Sequence, residues 1–174
     1  MKIEKLADQG ALLFMIEEEK LARDVYFTLG SAWGIQVFSN IQSSEQQHMN
    51  AVAQLLNQYE IPYALAGVGE FGYDELSSLY ETLVETGLES SVNALEVGAL
   101  IEDLDIVDLQ EFINETENSS IIRVFSRLQC ESRNHIRSFT GLLEAEGVEY
   151  TPQYLSDDEY QTIISGTTEQ CGQQ

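Results

Sequence analysis

The first long helical pattern of the chain contains the run Ile16-Glu-Glu-Glu-Lys-Leu-Ala-Arg-Asp-Val-Tyr26. At 100° per residue, Glu18 falls at the centre of the apolar face of this segment, and Glu17 and Glu19 point to either side. A carboxylate that is buried among apolar side chains without a partner costs several kcal/mol. The run therefore predicts a helix whose inner face carries an acid that needs a positive partner.

The other long helical patterns also carry acids or imidazoles on their apolar faces. The predicted inner residues are Glu18 on the first, Glu45 and His48 on the second, Glu102 and Asp105 on the third, and Glu131 and His135 on the fourth. Lys20, Arg23 and Arg133 point outwards in the same projection, so they do not neutralise these acids. A single histidine on an apolar face is more often a packing residue. Two histidines with this set of acids instead predict bound metal ions, and imidazole with carboxylate oxygen suits iron, manganese or zinc.

Further residues on these faces complete the predicted interior. Gly98 beside Glu102 leaves space for a bulky group, and Asp103 points away from the inner face of the same helix. Tyr26 lies two turns beyond Glu18 on the edge of the first apolar face. We expect Tyr26 either to hydrogen-bond a metal ligand or to be an amphipathic core residue, the commoner role of a buried tyrosine.

Helical periodicity dominates the chain, and no strand-like alternation persists. The predicted helices run from Lys5 to Leu29, Asn40 to Tyr59, Glu75 to Glu85, Ser91 to Glu115, Asn118 or Ser119 to Glu146, and Asp157 to Ile164. Gly30 is the expected stop of the first helix, and Asp74 the expected N-cap of the third. Four long helices predict an all-α four-helix bundle, with a short extra helix between the second and third long helices, and an irregular helical domain is the alternative. The bundle occupies residues 1–150, and residues 151–174 form a C-terminal tail with a short helical segment.

The charge of the chain is strongly negative. Its 174 residues include 30 Asp and Glu against eight Lys and Arg, for a net charge of −22. That field repels phosphates, so neither nucleic acid nor a membrane surface is an expected partner. The longest apolar run, Ala11 to Ile16, is too short to cross a bilayer, and Glu4 and Asp8 interrupt the region where a secretory signal would lie. The excess of acidic residues is interpreted first as an adaptation that keeps the protein soluble. The second interpretation is that some of these carboxylates bind cations.

Two cysteines, Cys130 and Cys171, are too few for a four-thiolate zinc or iron–sulfur site. Cys130 lies in a helical pattern, and Cys171 lies in a polar tail. We expect both to be free thiols in a reducing compartment, which predicts a cytoplasmic protein. A disulfide between them is the alternative.

Taken together, these residues resemble the di-metal carboxylate site of the ferritin-like superfamily. The pattern reads Glu18, then Glu45-Gln-Gln-His48, then Glu102 with Asp105, then Glu131-Ser-Arg-Asn-His135. The run that ends at Tyr26 further resembles a prokaryotic ferritin-like family that is classed as a domain of unknown function and is distantly related to rubrerythrin. The same resemblance extends to Val37-Phe-Ser-Asn-Ile-Gln-Ser-Ser-Glu45 and Ser132-Arg-Asn-His135. It covers roughly residues 10–160 and implies a ferritin-like fold with a metal site.

The chain departs from the family pattern on the fourth long helix and at two other points. Ser132 stands three residues before His135, and the acid at Glu131 is rotated by about 100° from that position. Asp105 stands where rubrerythrin-like proteins often carry a glutamate, and its side chain is shorter. The resemblance therefore implies two iron ions, or one, with manganese or zinc as alternative metals. The four-cysteine iron module of rubrerythrins is absent, so redox turnover would need an external electron donor.

The expected function is that of a di-iron or mixed-metal oxidase or peroxidase acting on dioxygen or hydrogen peroxide. One alternative is a non-catalytic protein that sequesters metal ions. Another is a structural bundle that has lost its metal. A homodimer is left open as its assembly.

Overall fold

The computed structural model describes residues 6–172. Within those residues there are six helices and no strand, and the all-α prediction is confirmed. The helices are α1 (Leu6–Trp33), α2 (Gln36–Gln58), α3 (Asp74–Gly87), α4 (Ser91–Glu115), α5 (Ser119–Ala145) and α6 (Asp157–Ser165). None of these helices is long and apolar enough to cross a membrane.

The first helix continues past its predicted stop. It runs through Gly30 to Trp33 and ends where Gly34 adopts a φ of 66° and bonds its N–H to the carbonyl of Gly30 at 2.8 Å. Gly30 serves close packing instead, because a Cβ there would lie 3.0 Å from the Cβ of Phe38 on α2. The predicted start at Lys5 lies outside the described residues.

Other helix boundaries differ by a few residues from the sequence prediction. The second helix begins at Gln36 rather than Asn40. The N-cap of α3 is Tyr73, which forms no side-chain cap, so Asp74 is the first helical residue rather than the cap. Asn118 caps α5 as predicted, and its side-chain oxygen accepts from two backbone N–H groups of the first turn.

The four long helices contact one another in a closed cycle. Helix α1 packs on α2, α2 on α5, α5 on α4, and α4 on α1. The short helix α3 packs across α1 and α4, and α6 packs on α5. Each long helix therefore turns one stripe of residues towards a common interior.

Two apolar clusters fill this interior. One includes Tyr26, Phe38 and Phe139, whose ring centroids lie 5.4 to 6.1 Å apart. The other includes Leu12 and Phe125. Each such buried side chain contributes roughly 1.5–3 kcal/mol. On α1, α2 and α5 the two clusters are separated by about one to two helical turns, and acids and histidines occupy the gap.

The space predicted beside Glu102 is filled by a core aromatic ring. A Cβ at Gly98 would overlap the ring of Phe139 from α5. Gly98 therefore allows α4 and α5 to approach closely, and it leaves no room there for a bulky bound group.

Lys20 was predicted to point outwards, and the loop between α2 and α3 covers it and buries it. Its side chain is 1% exposed, and its ammonium group donates to Asp24 Oδ2 at 2.6 Å. It also donates to the carbonyl oxygens of Gly67 at 2.6 Å and Glu70 at 3.0 Å. The loop between α2 and α3 thus adds a layer over α1 that a helical projection does not contain. Because these oxygens already bind the Lys20 ammonium, its charge is not available to the interior glutamates.

Asp103 was predicted to point away from the inner face of α4, and it contacts the segment before α6, which buries it. Its Oδ2 accepts from the Tyr150 hydroxyl at 2.8 Å and from the N–H of Gln153 at 2.6 Å. Its Oδ1 accepts from the N–H of Leu155 at 2.7 Å. The carboxylate therefore attaches the segment before α6 to α4.

A disulfide between Cys130 and Cys171 joins the C-terminal segment to α5. The prediction of two free thiols is wrong, because the path of the tail brings together cysteines that are 41 residues apart in sequence. Glu169 strengthens the attachment by accepting from Arg133 at 2.8 Å and from Arg137 at 2.9 Å. The disulfide removes the support for a reducing compartment.

Candidate metal centre

Two groups of buried side chains in the described part of the chain could hold a metal ion. One group consists of Glu19, Glu45 and His48, and the other consists of Glu45, Glu102 and His135. Within each group the ligand atoms lie within 4.8 Å of one another. Glu45 belongs to both groups, so the two sites would share one carboxylate.

Glu45 turns each of its oxygens towards a different imidazole. Its Oε2 lies 2.9 Å from His48 Nδ1, and its Oε1 lies 3.0 Å from His135 Nδ1. The outer carboxylates complete the two groups, with Glu19 Oε2 at 3.0 Å from His48 Nδ1 and Glu102 Oε2 at 3.4 Å from His135 Nδ1. The two imidazole rings are nearly parallel, with centroids 5.6 Å apart.

Local helix geometry explains the pairing on α2. Glu45 and His48 are three residues apart, so they lie on the same face of the helix, one turn above the other. Both side chains are buried, at 1% and 0% exposure. The pair enters the interior in the gap between the two apolar clusters, where α1, α4 and α5 bring the remaining residues.

Several ligand atoms of these groups have no hydrogen-bond partner. Glu19 Oε1, Glu45 Oε1 and His135 Nδ1 are buried and unpartnered. Glu45 Oε1 and His135 Nδ1 lie 3.0 Å apart, yet these two atoms do not have the geometry of a hydrogen bond. A buried polar group without a partner costs about 1–3 kcal/mol.

The spacing of the ligand atoms fits a bound metal ion. Nitrogen and oxygen ligands bind such ions at about 2.1 Å, so two ligands lie about 3.0 Å apart at a right angle and about 3.4 Å apart at a tetrahedral angle. The separations from His48 and His135 to their carboxylates span 2.9 to 3.4 Å. The two groups could therefore hold a metal ion without a large rearrangement of these side chains.

The electrostatics of the groups favour positive charge. Burial alone lowers the pKa of His135, but Glu102 and Glu45 raise it to about 10. Burial also lowers the pKa of His48. The carboxylates of Glu45 and Glu19 outweigh burial and raise this pKa well above its ordinary value. Burial raises the pKa of Glu19 and of Glu102. The carboxylates of Glu19, Glu45 and Glu102 thus contact the imidazoles of His48 and His135. In the absence of metal ions, protons bound to these side chains supply the positive charge.

Glu131 contacts the far side of His48 rather than the centre itself. Its Oε2 lies 2.7 Å from His48 Nε2, and its side chain is 29% exposed. A carboxylate at Nε2 keeps a proton there and leaves Nδ1 free to bind a metal ion. Glu131 was predicted as a ligand, and its carboxylate contacts the His48 ring but belongs to neither of the two groups.

Tyr26 and Ser132 hold two of the interior acids. The fully buried Tyr26 hydroxyl donates to Glu102 Oε1 at 2.6 Å, so it both packs in the core and contacts a candidate ligand. Ser132 donates to Asp105 Oδ2 at 2.5 Å. The serine that departs from the family pattern thus binds the aspartate that also departs from it.

Of the seven residues predicted as ligands, the structure brings four into the two groups: Glu45, His48, Glu102 and His135. Glu18 and Asp105 are buried, but neither belongs to these groups. Glu19 takes the place on α1 that was predicted for Glu18. The run of three acids, residues 17–19, was the one feature of the sequence that indicated Glu19 as an alternative to Glu18. A rotation of α1 by about 100° brings one acid to the position of the next.

Comparisons with known proteins give a family match and an archaeal relative of known structure. A domain family described as "Uncharacterized protein domain (DUF2202)" matches residues 8–167. The chain is 50% identical over 164 residues to "Uncharacterized protein MJ0754" of Methanocaldococcus jannaschii, covering 93% of this chain and 89% of that protein. The crystal structure of hypothetical protein MJ0754 from Methanococcus jannaschii matches with a TM-score of 0.95 and 48% identity. That match covers 97% of this chain and 98% of the other.

Proposed function

This chain belongs to the DUF2202 family, and we propose that it is a ferritin-like di-metal protein that reacts with dioxygen or hydrogen peroxide. The proposal rests on Glu45, whose two oxygens face two different histidines. A single carboxylate in that position is suited to bridge two ions. Iron is preferred over manganese or zinc on the resemblance to ferritin-like proteins, because the N and O donors suit all three metals.

The proposed architecture is a ferritin-like four-helix bundle within residues 1–150, followed by a tail of residues 151–174. The closed cycle of contacts among α1, α2, α5 and α4 supports it. So does the arrangement of the ligands, which come from all four long helices and meet between two apolar clusters. The fold would hold the ligands rigid and keep most water out of the centre.

In this proposal one ion is held by Glu19, Glu45 and His48, and the other by Glu45, Glu102 and His135. Iron ions bound there would supply redox-active Lewis acid chemistry for the reduction of an O–O bond. The chain itself orients the ligands and shields them from water. Because Glu45 is common to both groups, its loss should weaken both sites together.

Neighbouring residues hold protons at stated atoms around the centre. Tyr26 keeps its hydroxyl proton directed at Glu102 Oε1, since burial and then the charge of Glu102 raise the pKa of the phenol. Glu131 holds the proton on His48 Nε2. Its side chain is 29% exposed, so this carboxylate joins His48 to the solvent side of the bundle. Electrons would come from an external donor.

Iron titration of the metal-free protein, followed by optical spectra and oxygen or peroxide uptake, tests the proposal. We expect two ions per chain and consumption of dioxygen or peroxide, with both lost in Glu45→Ala and His48→Ala. Glu111→Gln is the matched control, because Glu111 is an exposed acid on α4. Unchanged binding and uptake in the Glu45 and His48 variants would refute the proposal.

Metal sequestration without turnover is the second candidate function. The state of the cysteines favours it, because the chain has two, Cys130 and Cys171, and they are bonded to each other. No thiol is therefore free to supply electrons from within the chain. Reversible binding of two ions with no oxygen or peroxide consumption would select this candidate over the enzyme.

A structural bundle that has lost its metal is the third candidate. The unpartnered atoms of Glu19, Glu45 and His135 argue against it, because a purely structural interior normally satisfies its buried polar groups. Metal ligation contributes to folding free energy. A melting temperature that is unaffected by metal removal and addition would favour this candidate.

A further inference from the structure

Helix α5 carries a basic stripe, a row of four arginines with Cys130 at its middle. Arg127 and Arg133 lie three residues before and after Cys130. Arg123 and Arg137 lie seven residues before and after it. Side chains at these spacings share one face of a helix. Half of the eight basic residues of a chain with a net charge of −22 therefore lie on the same helix face as one cysteine.

The basic stripe favours thiol chemistry at the disulfide. Positive charge beside a cysteine stabilises its thiolate, which leaves when a disulfide is attacked and attacks when the bond re-forms. The side-chain amide of Asn134 also donates to Cys171 Sγ at 3.6 Å. Cys130 and Cys171 are both partly exposed, so a reductant in solution can reach the S–S bond.

The tail beside Cys171 is attached to α5 by further contacts besides the disulfide. The carboxylate of Glu169 accepts two hydrogen bonds from Arg133, each of 2.8 Å, and one from Arg137 at 2.9 Å. The backbone N–H of Glu169 donates to Asn134 Oδ1, and its carbonyl accepts from Asn134 Nδ2, both at 2.9 Å. These contacts keep the two thiols side by side after reduction, so the S–S bond can re-form.

The residue after Cys130 contacts a histidine of the candidate metal centre. Glu131 Oε2 lies 2.7 Å from His48 Nε2, and His48 belongs to one of the two candidate groups. Cys130 is therefore joined to His48 by the covalent bonds of two neighbouring residues and one short hydrogen bond. This path can carry electrons between the disulfide at the surface and the interior of the bundle.

We propose that Cys130 and Cys171 form a redox-active pair through which electrons from an external dithiol enter the di-metal centre. This inference rests on the proposed function, which needs an electron source outside the chain. The intact disulfide has no electrons to give, so the external dithiol must first reduce it.

The proposed cycle has two steps, and each transfers two electrons. In the first step the external dithiol attacks the S–S bond and is oxidised to a disulfide, and its two protons pass to Cys130 and Cys171. In the second step the S–S bond of the pair re-forms, two ferric ions each take one electron, and two protons pass to solvent. One cycle consumes one external dithiol and restores the disulfide.

Thiol counting in the metal-free protein tests the first step. The protein is treated with dithiothreitol, the reagent is removed without oxygen, and free thiols are titrated in the folded chain. We expect two thiols per chain with an unchanged circular dichroism spectrum, and their loss when glutathione disulfide is added. If thiols appear only after urea unfolds the chain, the disulfide is a structural crosslink and the proposal is overturned.

Reduction of ferric iron in the loaded protein tests the second step. Dithiothreitol is added without oxygen, and the loss of ferric absorbance is followed. We expect reduction to be at least about tenfold slower in the double variant Cys130→Ser, Cys171→Ser than in the unchanged protein. Ser126→Ala, which changes an exposed serine of α5, is the matched control and should not slow it. Equal rates in the double variant and the unchanged protein would overturn the proposal.

Dithionite controls for damage to the metal centre, because it gives electrons to metal ions without a dithiol. It should reduce the double variant and the unchanged protein at the same rate. If the double variant is slow with dithionite as well, the substitutions have altered the centre, and the assignment of the pair as the entry site is overturned.

The His48→Ala variant separates this proposal from the proposed function. In its metal-free form it should yield the same two thiols, while it should lose iron. Unchanged iron binding in His48→Ala would refute the di-metal centre and leave the thiol result standing. Absence of thiols in the folded, unchanged protein would instead refute the redox-active pair and leave the metal centre standing.

Discussion

Two regions of the molecule differ in how their acids are hydrogen-bonded. One is the C-terminal attachment, in which the residues after α5 bind to α4 and α5, and the other is the interior layer, the buried acids and histidines between the two apolar clusters. In the attachment, Asp103 accepts from Tyr150 and from backbone N–H groups, and Glu169 accepts from two arginines. In the interior layer, Glu18 has neither oxygen partnered, and Glu45 and Asp105 each leave one oxygen unpartnered. Acids that only hold the fold together are thus fully satisfied. Acids left unpartnered in the same molecule are better explained by a bound ion.

Removal of Asp103 should have the largest effect on stability. Asp103→Ala leaves the Tyr150 hydroxyl and several N–H groups without their acceptor. Each unsatisfied group costs about 1–3 kcal/mol, and water can hydrogen-bond some of them. We therefore expect the free energy of unfolding to fall by about 4 kcal/mol. Urea denaturation of the metal-free protein measures this change. A loss below about 1 kcal/mol would contradict the contrast between the two regions.

Removal of the disulfide should have the next largest effect. Cys130 and Cys171 close a loop with a sequence separation of 41, and a crosslink of that length stabilises by about 2–4 kcal/mol through the unfolded state. The double variant Cys130→Ser, Cys171→Ser should therefore unfold at lower urea concentration. Metal content should stay the same, because neither cysteine belongs to the candidate centre. Loss of metal in this variant would show that the two regions are coupled.

Substitution of Glu18 should act in the opposite direction in the metal-free protein. Its pKa is raised by burial and by Asp108, so the charged form is disfavoured in the fold, and Glu18→Gln should stabilise by about 1 kcal/mol at neutral pH. The gain should shrink as the pH falls from the raised pKa of folded Glu18 towards the ordinary carboxyl value near 4.5, and it should be absent below that value, where Glu18 is protonated in the unfolded chain as well. Urea denaturation at several pH values measures it, with Glu111→Gln as the control. Destabilisation at neutral pH would contradict the prediction.

Acidification should slightly weaken the C-terminal attachment. Arg133, outweighing partial burial and with help from Arg137, lowers the pKa of Glu169 to about 2. The stability that this acid contributes is present above its unfolded value near 4.5 and is lost as the pH falls from there towards 2. The side chain is 33% exposed, so solvent screening limits the effect to less than about 1 kcal/mol. Glu169→Gln should flatten the pH dependence in this window, and an unchanged slope would contradict the assignment.

The sequence by itself determined the helices and the residues that share a helix face. Glu45 and His48 could be paired from their spacing, and Asn118 could be recognised as a cap, because both features depend on neighbours within about one turn. The histidines could be placed on inner faces for the same reason. Local spacing contains this information whatever the rest of the chain does.

Only the tertiary structure decided which acids meet across helices. Rotation of α1 about its axis selects Glu19 over Glu18 for the histidine groups, and packing of α2 on α5 brings Glu131 to His48. The path of the tail joins Cys130 to Cys171. These outcomes depend on contacts between segments far apart in sequence, and the period of a helix contains no information about them.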